Sequence, residues 1–200
     1  MARHVEPRRS NPGGTAGPRT ARPSREELQA AYGRTVPDLI VPGLRVVLVG
    51  INPSLWSGAV GYHFASPSNR LWPTLHGAGF TSRRLHPSET DEILSCGLGV
   101  TNLVDRATAR ADELSKNEIV AAAQRLASVA EQWQPAYLAF LGLSAFRVAF
   151  RRPKAVVGPQ PELLGGSRVW LLPNPSGLNA SYQLPDLIAA YSELHVAAHQ

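Results

Sequence analysis

Two short stretches place the same residue types, able to do chemistry, in the same order. "GINPS" at residues 50–54 follows the apolar run "LRVVLV", and "PNPSG" at 173–177 follows "SRVWLL". Each sets an Asn-Pro-Ser triplet just past a segment that reads as a buried strand. A carboxamide offers a donor and an acceptor together, so asparagine at such a bend can hold a polar ligand by its edge. Behind the first triplet come Trp56, Tyr62, His63 and Phe64. A turn needs glycine, asparagine and proline, but it does not need four rings behind them. The plainer reading keeps both stretches as turns, with Gly50 and Gly177 relaxing the backbone.

Other catalytic signatures are missing from the sequence. The six histidines show no paired ligand spacing and Cys96 is the only cysteine, so neither a metal site nor a disulfide framework is expected. There is no GxSxG elbow and no glycine-rich loop ending in Lys-Ser or Lys-Thr. The glycine pairs in "HGAGFT" and "GLGVTN" read as helix stops and turns. The two Asn-Pro-Ser loops remain.

Strands alternating with helices must position them. Ser24 with Glu27, and Ser115 with Glu118, have capping-box spacing and open helices over "SREELQAAYG" and "SKNEIVAAAQRLASVAEQW". In the second, Ile119, Ala122, Ala123, Leu126 and Val129 share one face. A helix over "SPSNRLWPTLHGAGF" should be kinked or irregular at Pro73, and Ser88 and Asp91 should cap "SETDEILSCG". Helices are also expected over "LSAFRVAFRR" and "LPDLIAAYSELHVAAH". "LRVVLVG", "LGVTNLV", "AYLAFLG" and "SRVWLL" read as buried strands. Buried strands separated by helices predict a three-layer α/β/α sandwich with a central, mainly parallel sheet of about four strands. In such sheets ligands bind beyond the carboxyl ends of the strands, where both loops emerge.

At 200 residues and 44% hydrophobic, the chain suits one domain over residues 26–200, preceded by a basic tail at 1–25. The net charge of +5 resides wholly in that tail, and the remainder is balanced. Rich in Arg, Pro and Gly, the tail is expected to be disordered. It suits solubility, a salt-sensitive tether to nucleic acid, or, less well, an organelle transit peptide. No stretch reaches the about 20 apolar residues of a membrane span, and no secretory signal is evident. With its single cysteine, a cytoplasmic location and no membrane contact are expected.

"PGLRVVLVGINPSLWSGAVGYHFASPSNRLWPTLHGAGFT", "VTNLVDRATARADELSK" and "VWLLPNPSGLNASY" resemble, in order and spacing, the conserved segments of the bacterial mismatch-specific uracil-DNA glycosylases, relatives of the thymine-DNA glycosylases. The likeness runs from about Pro42 to Tyr191. It implies a monomeric enzyme that flips uracil, preferably mispaired with guanine, out of double-stranded DNA and hydrolyses its N-glycosidic bond, leaving an abasic site and needing no cofactor. By the same resemblance Asn52 is the catalytic residue, positioning water without the charge of a carboxylate. Phe64 stacks on the base, the backbone at Ile51 and Phe64 holds its edge, and Asn174 faces a pyrimidine carbonyl. Gly177, Leu178 and Asn179 match the wedge that fills the vacated stack. Ser57 and Ser176 would meet phosphates, Lys116 matches a lysine near the site, and Asp105 either lends charge or pairs with Arg106. His63 makes a poor base, having no carboxylate near it in sequence.

The pattern departs from the family twice. Ser54 replaces the glycine of GINPG, near the 5-position of the pyrimidine, and should reduce acceptance of thymine. Ala180 replaces an arginine after the wedge, removing a strand contact. Two other readings stay open: a non-catalytic module recognising flipped bases, and a hydrolase of free nucleosides that would have no use for Leu178.

Overall fold

A five-stranded sheet in the order β2-β1-β3-β5-β4 carries the fold in the computed structural model, which describes residues 22–200. The basic tail therefore lies, up to residue 21, outside the described residues. Ser24 caps helix α1, Arg25–Ala30, with the expected Glu27 partner.

Strands β1 (Val46–Gly50), β2 (Leu98–Asn102), β3 (Tyr137–Leu141) and β5 (Ser167–Leu172) run parallel, with β1 between β2 and β3. Their side chains alternate between two cores. Val46, Leu48, Val100 and Leu172 face α3 (Leu71–Gly77), α4 (Thr90–Ser95) and α7 (Leu184–Ala198). Val47, Val49, Leu138 and Leu171 face α5 (Lys116–Trp133) and α6 (Leu143–Ala149). Both faces are covered, which is why these strands are apolar runs rather than alternating ones. The three-layer sandwich is present.

The fifth strand is the main difference from the sequence reading. β4, Gly158–Leu164, pairs antiparallel with β5 at the sheet edge, and its Pro159 and Pro161 suit an edge strand. Its burial alternates, so it lacks the apolar run that betrays the other four. Gly165 and Gly166, at φ +56° and +88°, make the tight turn between β4 and β5. A short helix, α2 (Leu55–Val60), also lies inside the stretch read as a loop behind "GINPS".

Two helix expectations are corrected. Pro73 produces no kink, because α3 begins at Leu71 and places it in the first turn, where amide hydrogens have no intrahelical acceptor. Neither Ser88 nor Asp91 caps α4: Glu89 is the N-cap residue and spends its carboxylate on the His86 amide, while Ser88 bonds the His86 ring. The best-formed helix, α5, starts as expected with a Ser115–Glu118 capping box.

A methyl at Gly165 would come within 2.6 Å of the Ala130 side chain and the Glu131 amide of α5, whereas Gly166 has open space. Gly166→Ala should cost about 1 kcal/mol from the left-handed backbone alone. Gly165→Ala should cost about 2 kcal/mol more, from overpacking. Urea unfolding of the two variants side by side measures the difference.

Candidate active site

The four parallel strands all point their carboxyl ends at one hollow of about 190 Å³. Its walls include Asn52 beyond β1, Asn102 and Thr108 at and beyond the end of β2, Leu141 ending β3, and Asn174 beyond β5. The volume suits one small heterocycle rather than a length of chain. A larger hollow, about 460 Å³, opens between Trp56, Trp72 and Arg84, but it lacks this convergence of side-chain amides. Convergent polar groups mark a site better than size does.

The loops after β1 and β2 run side by side as though the sheet continued. Amides of Leu103, Val104 and Thr108 donate to the carbonyls of Gly50, Ile51 and Pro53 at 2.8, 2.9 and 3.2 Å. This delivers Asn52 against Thr108. The Asn52 Nδ2 donates to Thr108 Oγ1 at 2.7 Å and to the Arg106 carbonyl at 3.0 Å. A carbonyl only accepts, so the amide orientation is fixed by chemistry, and Oδ1 is left as the acceptor offered to the hollow. Thr108 completes the arrangement by donating its own hydroxyl to the Arg110 carbonyl at 2.8 Å. No Asp, Glu or Lys lines the hollow among the described residues.

Phe64 stands on the wall in a left-handed conformation, φ +51°, a strained choice for a ring-bearing residue. The Trp72 indole donates to its carbonyl at 3.1 Å and so pins the segment from the core. Gly50 has no side chain because there is no room for one: a methyl there would meet Asn102 Oδ1 and lie 2.9 Å from the Phe64 ring. Behind the ring, His63 is buried and bonds the Pro37 carbonyl at 2.8 Å through Nε2. Nε2 must carry the proton, so Nδ1 accepts from Asn102 Nδ2 at 3.1 Å, and the Asn102 oxygen is turned towards Gly50. Burial pushes the His63 pKa below its ordinary value, against the Pro37 hydrogen bond and the Asp38 charge. The neutral ring this favours is the form that the hydrogen bonds require.

Across the hollow, the β5 loop folds on itself. Asn174 Oδ1 accepts from the Ser176 amide at 2.9 Å, so its Nδ2 is the end left for a ligand. Asn179 Nδ2 donates back to the Asn174 carbonyl at 2.8 Å. At the tip, Leu178 is 89% exposed, the most exposed large apolar side chain among the described residues. Two amide acceptors, one amide donor, a ring and an outward leucine thus stand around one base-sized hollow.

A family model, the uracil DNA glycosylase superfamily, matches residues 37–195. The chain belongs to that superfamily. The solution NMR structure of a candidate uracil DNA glycosylase from Methanosarcina acetivorans is similar in fold, with a TM-score of 0.57 at 16% identity, covering 82% of this chain and 99% of that one. Superfamily membership implies a hydrolase that acts on DNA as a glycosylase.

Of the residues singled out for such a glycosylase, the hollow brings together Ile51, Asn52, Ser54, Phe64, Asn174, Ser176 and Leu178. Gly177 and Asn179 stand beside them in the β5 loop. The carbonyls of Ile51 and Phe64 each accept one hydrogen bond within the protein, from the Val104 amide and the Trp72 indole. Three residues lie elsewhere or are otherwise engaged. Ser57 also lines the hollow but is buried, its hydroxyl bonded to the Ala65 amide and to Ser54 Oγ. Lys116 is exposed at the start of α5 and lines no part of the hollow. Asp105 pairs with Arg125 at 2.7 Å, while Arg106 takes Glu118 at the same distance. The burial of Asp105 raises its pKa more than Arg125 lowers it, and it lies outside the hollow.

Thr108, Asn102 and His63 are the residues whose parts went unrecognised. The signal for Asn102 was a polar residue closing an apolar strand. Thr108→Val removes one of two acceptors that orient Asn52. Single-turnover uracil excision should fall about tenfold, the worth of one hydrogen bond. The thermal midpoint should stay close to that of the wild type.

Proposed function

We propose that this protein excises uracil from double-stranded DNA, preferring uracil mispaired with guanine, by monofunctional hydrolysis of the N-glycosidic bond. The observation that carries the reading is the oriented Asn52 carboxamide, whose oxygen is the acceptor left over in a ring-walled hollow of base size.

The flipped uracil stacks on Phe64, an interaction worth about 1–3 kcal/mol. Asn174 Nδ2 donates to a pyrimidine carbonyl, and this bond strengthens as negative charge develops on the departing base. The sugar becomes cation-like as the bond breaks. Water held by Asn52 Oδ1 adds to the anomeric carbon and loses its proton to solvent. A neutral amide neither draws off that proton nor opposes the cation's charge, so the chemical step is slow. With no lysine at the hollow, no Schiff base forms with the sugar, and the product is a free base and an intact abasic strand.

Selectivity for the mispair comes from the cost of extrusion, which is lower for a wobble pair. Leu178 enters the duplex and fills the gap left by the base. Ser54 sits at the rim of the hollow as the N-cap of α2, its hydroxyl turned to the Ser57 amide at 3.1 Å. Its β-carbon still narrows the side where a 5-methyl group would enter.

The test is alkaline cleavage of a labelled duplex with one central G·U pair. Wild type should give product, and Asn52→Ala should lose about a hundredfold or more. Binding without product from either protein would instead favour a module that recognises flipped bases. On a G·T duplex excision should be slower than on G·U, and equal rates would remove Ser54 from the account.

A further inference from the structure

Arg70 is a cation paired with no carboxylate among the described residues. Its guanidinium is spent on one loop. Nη1 donates to the Tyr182 carbonyl at 2.7 Å, and Nη2 to the carbonyls of Ser176 and Asn179 at 2.6 and 2.9 Å. Its backbone amide adds a fourth bond, to the Pro175 carbonyl at 2.9 Å. These acceptors bracket Leu178 on both sides.

The clamp stands on firm ground. Arg70 is the N-cap residue of α3, its carbonyl accepting the Thr74 amide at 3.0 Å and the Thr74 hydroxyl at 2.6 Å. The next residues, Leu71 and Trp72, are buried in the core. Gly177 lies so close to this segment that a methyl on it would sit 2.6 Å from the Ser68 carbonyl. At the root of the loop, buried Tyr191 donates to the Pro173 carbonyl at 3.2 Å. The tip loop is therefore tied to the core at three places, yet its leucine is left out in solvent.

We infer that Arg70 is the positioning residue of the wedge, holding residues 175–182 in the one conformation that presents Leu178 to the duplex. The inference rests on the reading of Leu178 as a wedge. Loops with a bare apolar tip ordinarily have many conformations, and ordering one on DNA binding would weaken binding. Carbonyls gathered on a fixed guanidinium meet that cost during folding. Three divergent acceptors suit a planar fork and not a point charge, so lysine is no substitute. Arg70 lines none of the base hollow and touches no reacting atom. Its bonds fall on residues 175–182, past Asn174, which follows the Pro173 anchored by Tyr191, so its effect falls on substrates that need a wedge.

The experiment compares wild type, Arg70→Lys, Arg70→Met and Leu178→Ala on a G·U duplex and on a single-stranded uracil oligonucleotide, reading the ratio of the two kcat/KM values. Fluorescence of 2-aminopurine placed beside the uracil reads wedge entry without requiring chemistry. If the unclamped loop is wedge-ready one time in ten, the duplex rate falls about tenfold and the single-strand rate is kept. Both Arg70 variants should show that drop, with a smaller fluorescence rise on binding. A wild-type ratio and fluorescence rise in both Arg70 variants, with the ratio lowered in Leu178→Ala, would overturn this inference and leave the wedge standing. Equal losses on both substrates would also overturn it, making Arg70 a general fold residue. An unchanged ratio in Leu178→Ala would remove the wedge, and this inference with it.

Discussion

The site depends on a parallel ladder that does not stop where its strands stop. Beyond Gly50 and Asn102 the chain loses its apolar run, yet three more amide-to-carbonyl bonds keep the two loops in step as far as Thr108. Everything chemical follows from that extension. Asn52 has no charged group to steer it, so only a backbone held at fixed separation can keep its amide against both Arg106 and Thr108. Had the loops diverged at Gly50, the same side chain would rotate freely and offer donor and acceptor alternately. A glycine at position 50 is the condition for the approach, since Asn102 and the Phe64 ring occupy the place of its side chain.

The same reliance on fixed carbonyls recurs around the hollow. Pro37 fixes the protonated nitrogen of His63, and His63 in turn fixes Asn102. Arg106 fixes Asn52, and the Ser176 amide fixes Asn174. In each case a backbone group, whose role as donor or acceptor cannot change, sets a side chain whose role can. Three ambiguous amides become two acceptors and one donor without a charge being buried among them. The pattern suits a ligand edge that itself carries both donors and acceptors, as a nucleobase does.

Much of this was legible in the sequence, and what was missed was missed for physical reasons. Continuous apolar runs gave away the four parallel strands, because burial on both faces leaves few polar residues in them. β4 is covered on one face only and holds two prolines, so neither signal was available; Gly165-Gly166 was its one local mark. Asn52, Phe64 and Asn174 were found from the loops and the resemblance around them. Thr108 and Asn102 lie in "VTNLVDRAT", where the charged Asp105 is the more conspicuous group. That carboxylate was taken by Arg125, a residue 20 positions further on in α5, which no local pattern could reveal. Ser57 reads in sequence as a surface hydroxyl because the helix that buries it, α2, is too short to show a periodicity.

A hollow lined by no carboxylate among the described residues has a consequence for how the protein meets DNA. A carboxylate at the position of Asn52 would be repelled by phosphates converging on the hollow, and its desolvation would raise its pKa as the duplex closed over it. A carboxamide undergoes neither change, so the groups that face the base keep one state from free protein to complex. The cost falls on the chemical step, where no fixed negative charge faces the sugar cation. On the proposed reading, discrimination would then rest on how easily a base leaves the stack and how well a loop can take its place. On that reading the rigid presentation of Leu178 would matter as much as the Asn52 carboxamide, and both are secured by the same means, a backbone carbonyl that can only accept.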